Sequence, residues 1–511
     1  MENYDTIVIG SGAGGLASAL RMARLNFSVL LLEAMPAFGG YLNPFRRKGY
    51  SFDTGLHILI GISKGEDWWR ILDELGITDL VEFIELNPDG YDRFIFPDYE
   101  FQICNGKERF KERLIADFPK EERGIIRFFE YADKIMKAAE ASRSMGPGFS
   151  GMLRFILKNP VMLKYSKVPY QSLLNKLTSD KRLQAVLSAP SLYYGTPPAK
   201  ASTILAIMVW LSLLKGEFYP HGGSGAFRDA FIGELTRHGA ELKNNSRVVA
   251  IEKHANNFVV KTEAGEQYSS RAVISNADPV ITLGKLVDPE MLPSKIRKKV
   301  IGLRPSEGSF YAFIGTDLDL PSIGITDNNI TYYDSYDINK ILEIQLASSP
   351  PEVFPNFFIT SPSVKDPDGE YAPEGFHTLG VFTWAINYDL FKKWAGFPSM
   401  KRGEEYKTLK KKIGDRLIAS AEKYVPGLSR HIDIVEYATP LSNEYWVNAV
   451  RGGNYGPDHT PDQFGRGRFT TFGAGIDGLF LSGAGTLGCG IMTCVGSGFL
   501  SANKAAEYLE S

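Results

Sequence analysis

YDTIVIGSGAGGLASALRMARLNFSVLLLEA, Tyr4 to Ala34, decides the fold. It begins with an unbroken apolar run, TIVIG, of the kind a strand shows when both its faces are covered. Gly10-x-Gly12-x-x-Gly15 follows, then a stretch of helical period, then VLLLE ending in Glu33. Strand, glycine turn, helix and strand in that order make a dinucleotide-binding unit. Gly10 permits the tight turn, Gly12 lets backbone approach a pyrophosphate, and Gly15 lets helix and strand pack closely. Ala13 and Gly14 open the helix, whose amides and dipole face the phosphates. Glu33 falls 18 positions after Gly15, where a carboxylate meets ribose hydroxyls and disfavours a ribose phosphate. NADP is therefore the poorest candidate.

Outward from this unit, Gly39 and Gly40 offer a second stretch of bare backbone to the same pyrophosphate. YSFDTGLH then reads as a short strand and a turn reaching toward the cofactor. His57, at its end, is the candidate catalytic acid, because histidine transfers protons near neutral pH. A hydrogen-bonded structural histidine is the alternative. GAGIDG, Gly473 to Gly478, matches the same glycine string but precedes its strand and opens no helix, so it reads as a turn. Near the C-terminus a strand ends at Gly483 and passes Gly485, Gly488 and Gly490 into a helix beginning at Ile491 and Met492. That second helix N-terminus suits the far end of a large cofactor, where flavin oxygens gain negative charge on reduction. Gly483, Gly490, Ile491 and Met492 are thus expected beside the flavin, and the cofactor is expected to be FAD.

Dinucleotide-binding elements recur at the start, middle and end of the chain. The pattern predicts an α/β protein: a discontinuous Rossmann-like FAD-binding domain, an inserted mixed α+β substrate domain, and a helical membrane-facing lid. The expected bounds are 1–64, 215–290 and 431–511 for the FAD domain, and 65–214 and 291–430 for the substrate domain.

Across 511 residues, 44% are hydrophobic and 23% charged, as in a folded globular protein. A net charge of −2 gives no case for nucleic acid. Cys104, Cys489 and Cys494 fit no disulfide framework, zinc pair or C-x-x-C motif, and predict plain thiols in a reducing, cytoplasmic setting. The start MENYD, with no basic or apolar leader, predicts a chain without a secretory signal. The longest apolar run, Thr203 to Leu214, has 12 residues, too few to span a bilayer but suited to the wall of an apolar tunnel. Ala141 to Ser179 carries Arg143, Arg154, Lys158, Lys164, Lys167 and Lys176 among bulky apolar residues and no acid. Such a stretch suits a membrane headgroup zone, a solvated helix face being the alternative. No Ser-His-Asp set, HExxH or clustered metal ligands are present, so no metal is expected.

The N-terminal fingerprint, FDTGLH, PHGGSGAF, VISNADP, EYATPLSN and the terminal glycine turn occur in one order. That order resembles the phytoene-desaturase-like branch of the amine oxidase superfamily. FYAFIGTDLDL, FFITSPSVKDP, GNYGPDH and LGCGIMTCVGSG are most similar to retinol saturases and their bacterial relatives. GAGT (Gly483 to Thr486) is closer to bacterial phytoene desaturases, and carotenoid isomerases are a third near relative. The resemblance implies an FAD-dependent oxidoreductase acting on carbon–carbon double bonds of a long polyene, by saturation or isomerisation, with hydride exchange through flavin N5. Desaturation is the alternative, and flavin amine oxidation a more distant one. It also implies backbone contact between Val248 and adenine, an external electron donor or acceptor, and peripheral membrane association. Tyr193, Tyr194, Tyr445 and Trp446 are candidates for the tunnel wall, ordinary core aromatics being the equal alternative.

Overall fold

Apolar runs without alternation form the inner strands of the first sheet. In the computed structural model, which describes residues 1–143, 158–470 and 474–511, Glu2–Ile9 runs parallel to Val29–Leu32 and, on its other side, to Gln267–Ser275. Both faces of these strands are covered, and Ile7, Val8, Leu30, Leu31 and Leu32 are all buried. Glu241–Lys243 extends the sheet beyond Val29–Leu32. Leu479–Leu481 pairs in parallel with the end of Gln267–Ser275, and the hairpin of Val248–His254 and Asn257–Thr262 lies antiparallel to its start. Strands from three distant parts of the chain therefore share one seven-stranded sheet.

Two helices lie against it at backbone contact. Ala13–Arg24 meets the C-terminal helix Ile491–Glu510 through small residues. A Cβ on Gly498 would lie 2.1 Å from the Gly14 carbonyl oxygen, so only glycine fits there.

A second sheet of seven strands runs in the order Ile432–Ala438, Tyr311–Thr316, His377–Phe382, Asn356–Thr360, Asn329–Tyr333, Asp92–Ile95 and Glu100–Ile103. Helix Gly403–Ala421 covers it with Tyr406, Ile413, Leu417, Ile418 and Ala421. Ile432–Ala438 corrects the boundary expected at 431. It pairs antiparallel with Tyr311–Thr316, so the chain leaves the second sheet only at Thr439, whose side chain caps helix Pro440–Val447. The hairpin Phe45–Arg47 and Tyr50–Phe52 also packs on this sheet, through Tyr311, Phe313 and Ile434. Between the sheets, Glu217–Pro220 pairs with Leu59–Ile60 and Phe83–Glu85.

The apolar run after Ser202 forms helix Thr203–Leu213, buried on most of its circumference and not amphipathic. No helix among the described residues is long and apolar enough to cross a membrane. Much of the basic stretch, residues 144–157, lies outside the described residues. Its described remainder includes helix Tyr170–Leu177, which turns Tyr170, Leu173, Leu174 and Leu177 into the core.

Candidate active site

The glycine fingerprint is packed so tightly that side chains are excluded. Gly10 has φ +86°, in the region that favours glycine. A Cβ on Gly15 would lie 1.8 Å from the Gly10 carbonyl oxygen, and one on Gly14 would lie 2.7 Å from the Gly483 amide nitrogen. Gly12 precedes helix Ala13–Arg24 and supplies no side-chain cap, which leaves the first-turn amides to an anion.

Glu33 is 8% exposed and fixed at both oxygens. Oε2 accepts from the Ser11 amide (2.9 Å) and hydroxyl (2.6 Å), and Oε1 accepts from the Met35 amide (2.9 Å). The Gly39 amide donates to Ser11 Oγ at 2.9 Å, and a Cβ on Gly40 would lie 3.3 Å from Gly12 Cα. Ser11 thus ties the Gly39–Gly40 loop to the fingerprint. Its place inside the glycine motif was the sequence signal for this role. The Ser246 amide donates to the Glu33 carbonyl at 2.7 Å, which brings Val248, two residues on, to the same end of the sheet. Removing the carboxylate as Glu33→Ala strands the Ser11 donors. FAD affinity is expected to fall on the order of 10–100-fold, since such bonds contribute about 1.5–3 kcal/mol. Titration of the deflavinated variant with FAD measures it; an unchanged Kd contradicts the assignment.

The terminal glycine turn closes over the fingerprint. Gly483 has φ +81° and its amide donates to Ser497 Oγ at 2.6 Å. Asn276 is wedged between the turns: its amide group would collide with a Cβ on Gly12, Gly14 or Gly483. Asp278 caps the next turn by accepting from the Val280 amide at 2.8 Å. Gly490, φ +90°, leads without a side-chain cap into Ile491 and Met492. FAD fits this cleft: the bare glycine cradle takes a pyrophosphate, and two buried polar atoms lack any protein partner, Tyr41 Oη and Arg468 Nη1. Tyr41 packs on Gly55, and Arg468 donates to the Ala484 carbonyl at 2.7 Å, so both atoms belong to segments that bound the cleft.

The Phe52–His57 segment carries the site toward the second sheet. Asp53 turns inward, accepting from the Ser224 hydroxyl and amide and from the Tyr219 hydroxyl. The His57 ring lies 5.1 Å from Phe382, 5.7 Å from Tyr311 and 6.1 Å from Phe358, centroid to centroid. Its carbonyl accepts from Lys365 Nζ at 2.9 Å. Burial, reinforced by the Lys365 charge, pushes His57 down to about 3. Set among aromatic rings and pushed toward its neutral form, His57 fits the structural alternative better than the acid. The unfolded chain binds more protons than the folded one between about pH 6.5 and 3, so this group lowers stability as pH falls through that window. His57→Phe keeps the ring and removes the titration. Its Tm is expected to decline less than wild type on acidification; parallel curves would refute the shift.

Lys365, 3% exposed, also donates to Asn329 Oδ1 (2.6 Å) and Thr360 Oγ1 (2.7 Å). Burial lowers it to about 8, opposed by Glu217, Asp92 and Asp53. Sequence reasoning missed this cluster, because no spacing joins residues carried on separate strands. Of the aromatic candidates, Tyr193 is half-buried and Tyr194 buried, its hydroxyl bonded to Ser191. Tyr445 and Trp446 are 37% and 51% exposed on helix Pro440–Val447. All three cysteines are free thiols.

A dinucleotide cradle closed by a second glycine turn and facing an aromatic sheet defines an FAD-dependent oxidoreductase. The sequence pattern described as "Flavin containing amine oxidoreductase" matches residues 13–509, and the chain belongs to that family. It is 28% identical to all-trans-retinol 13,14-reductase of Homo sapiens over 526 residues, covering 96% of this chain and 83% of that one. It is 27% identical to the chloroplastic prolycopene isomerase of Arabidopsis thaliana over 517 residues, covering 98% and 82%. A Danio rerio relative, 27% identical over 532 residues (99% and 86%), is described as an inactive all-trans-retinol 13,14-reductase. Among solved structures, an oxidoreductase from Methanosarcina mazei superposes with TM-score 0.64 at 16% identity, covering 98% and 100%. Cyclohexylamine oxidase from Brevibacterium oxydans gives TM-score 0.64 at 14% identity, covering 99% and 100%. These likenesses establish the fold.

Proposed function

We propose that this protein saturates or isomerises carbon–carbon double bonds of a long apolar polyene of retinoid or carotenoid type. The observation that carries this reading is the aromatic stack of His57, Tyr311, Phe358 and Phe382 beside the Phe52–His57 loop, with Asp53 turned away into Ser224 and Tyr219. Flat rings suit a conjugated chain, and the retinol reductase and prolycopene isomerase relatives point to the same substrate class. FAD, when bound, supplies reversible hydride transfer at N5. The chain's own residues hold it at Glu33 and the glycine turns, orient the polyene and exclude water.

Desaturation is the same chemistry in reverse and is decided by the electron partner, an external donor or acceptor. Amine oxidation is disfavoured because Asp53, the carboxyl in this loop, is turned into Ser224 and Tyr219 and offers no partner to a cationic substrate. Loading such a lipid suits a protein held peripherally at a membrane by the basic stretch around Lys158, Lys164, Lys167 and Lys176. Anaerobic absorption spectra separate the two chemistries. Oxidised protein mixed with primary amines is expected to keep its flavin absorbance, while a polyene perturbs the flavin band. Bleaching by amines would overturn the reading.

A further inference from the structure

We propose that Glu217, Asp92 and Tyr193 form a proton relay ending at the polyene crevice, in which the Tyr193 phenol protonates a substrate carbon and the carboxyl pair behind it replaces the proton. The inference rests on the polyene reading above and adds the group that supplies its proton.

Asn329 fixes the argument. Its Oδ1 is taken by Lys365 Nζ and Thr360 Oγ1, which sets the amide orientation and turns Nδ2 toward the carboxyls. Nδ2 then donates to Asp92 Oδ1 at 3.1 Å and to Glu217 Oε2 at 3.5 Å. Two acids converge on one amide, with exposures of 1% and 0%. Both cannot ionise so close together in a dry site, and one proton stays between them. Burial accordingly pushes both carboxyls above the usual range. The groups facing the pair are Tyr91, Tyr193 and Lys365, with Asp53 and Asp327 beyond Lys365. Lys365 is the single cation, too little to hold all these acids ionised.

Tyr193 is the outlet. Its hydroxyl donates to Asp92 Oδ2, and its carbonyl accepts from Cys489 Sγ at 3.5 Å, beside the glycine turn that closes the FAD cleft. Leu192, Tyr194 and Gly195 around it are buried, whereas Tyr193 is half-buried, as are Tyr455, Ile491 and Cys494. The uncovered surface that these four retain is where the proposal places the crevice. In saturation the Tyr193 O–H bond breaks as a C–H bond forms at one carbon. The other carbon would take a hydride, with its two electrons, which FAD held at the glycine turns would supply once an external two-electron donor had reduced it. The phenolate regains its proton from the carboxyl pair as a solvent proton enters that pair through the crevice, so one proton stays with the two acids throughout.

The test compares holoenzyme of wild type, Glu217→Gln and Tyr193→Phe. Glu217→Gln mimics the neutral acid in shape and removes its transferable proton, so the fold is kept. Infrared difference spectra at neutral pH are expected to show a protonated carboxyl band in wild type that Glu217→Gln lacks. With photoreduced enzyme and all-trans-retinol in D2O, the product is expected to carry one solvent deuterium on carbon. Single-turnover rates are expected to fall about 10²–10⁴-fold in Tyr193→Phe, the usual reach of general acid catalysis, and less in Glu217→Gln. No infrared difference, or Tyr193→Phe reacting at the wild-type rate with full FAD content, overturns the relay. A wild type that shows the band but converts no polyene sinks the hand-over together with the polyene reading, while the proton store stands.

Discussion

Gly15→Ala is expected to yield protein that has lost most of its FAD and unfolds well below wild type. The added Cβ would sit 1.8 Å from the Gly10 carbonyl oxygen and 3.2 Å from Asn276 Cβ. Nothing flexible stands in the way to yield, because the first obstacle is backbone of the same turn. Helix Ala13–Arg24 must therefore lift from its strand, and its contact with Ile491–Glu510 through Gly14 and Gly498 is lost with it. The cost lies at or beyond the upper end of the ~1–3 kcal/mol typical of overpacking. The same shift withdraws the helix amides from the pyrophosphate. Gly233→Ala is the control: Gly233 is an exposed helical glycine with nothing within 4 Å of its Cβ position. It should gain about 0.5–1 kcal/mol from helix propensity. Flavin content and Tm of the two variants decide the matter, and a fully flavinated, stable Gly15→Ala would contradict the cradle.

Lys365→Met is expected to cost about 3–5 kcal/mol, the range for breaking a buried charge pair from one side. The change leaves the His57 carbonyl, Asn329 Oδ1 and Thr360 Oγ1 short of a donor. It also removes the cation that draws the pKa values of Asp53, Asp92 and Glu217 down against their burial. A carboxyl whose folded value is raised stabilises only below its unfolded value, and that contribution drains away as pH rises through the folded value. The Tm gap between wild type and Lys365→Met should consequently widen as pH rises above the ordinary carboxylate range. A gap that is flat or narrows with pH would show that Lys365 does not balance these acids.

Local pattern was enough to place the glycine turns and the buried Glu33. Gly10, Gly12, Gly15, Glu33, Gly39 and Gly40 announce themselves because a pyrophosphate demands bare backbone at fixed spacing. Gly483 to Met492 was readable for the same reason, as a strand, a glycine turn and a helix. The second sheet was legible only as a series of apolar strands. Ile432–Ala438 was placed with the wrong unit because pairing with Tyr311–Thr316 is a register fact, invisible in a single strand's composition. Asp92, Glu217 and Asn329 come from three separate strands and Lys365 from the short helix Pro362–Lys365, and they meet only after folding. Their burial, which gives them their chemistry, is a tertiary property. His57 shows the converse: its residue type suggested an acid, and its surroundings removed the proton.

The measurement closest to the central claim is the mass and retention of products from anaerobically photoreduced protein incubated separately with all-trans-retinol and a poly-cis carotene. The account predicts either a product heavier by two hydrogens, with flavin reoxidised in step, or a product of unchanged mass and altered retention with flavin still reduced. Recovery of both polyenes unaltered by protein carrying its full complement of FAD would contradict it.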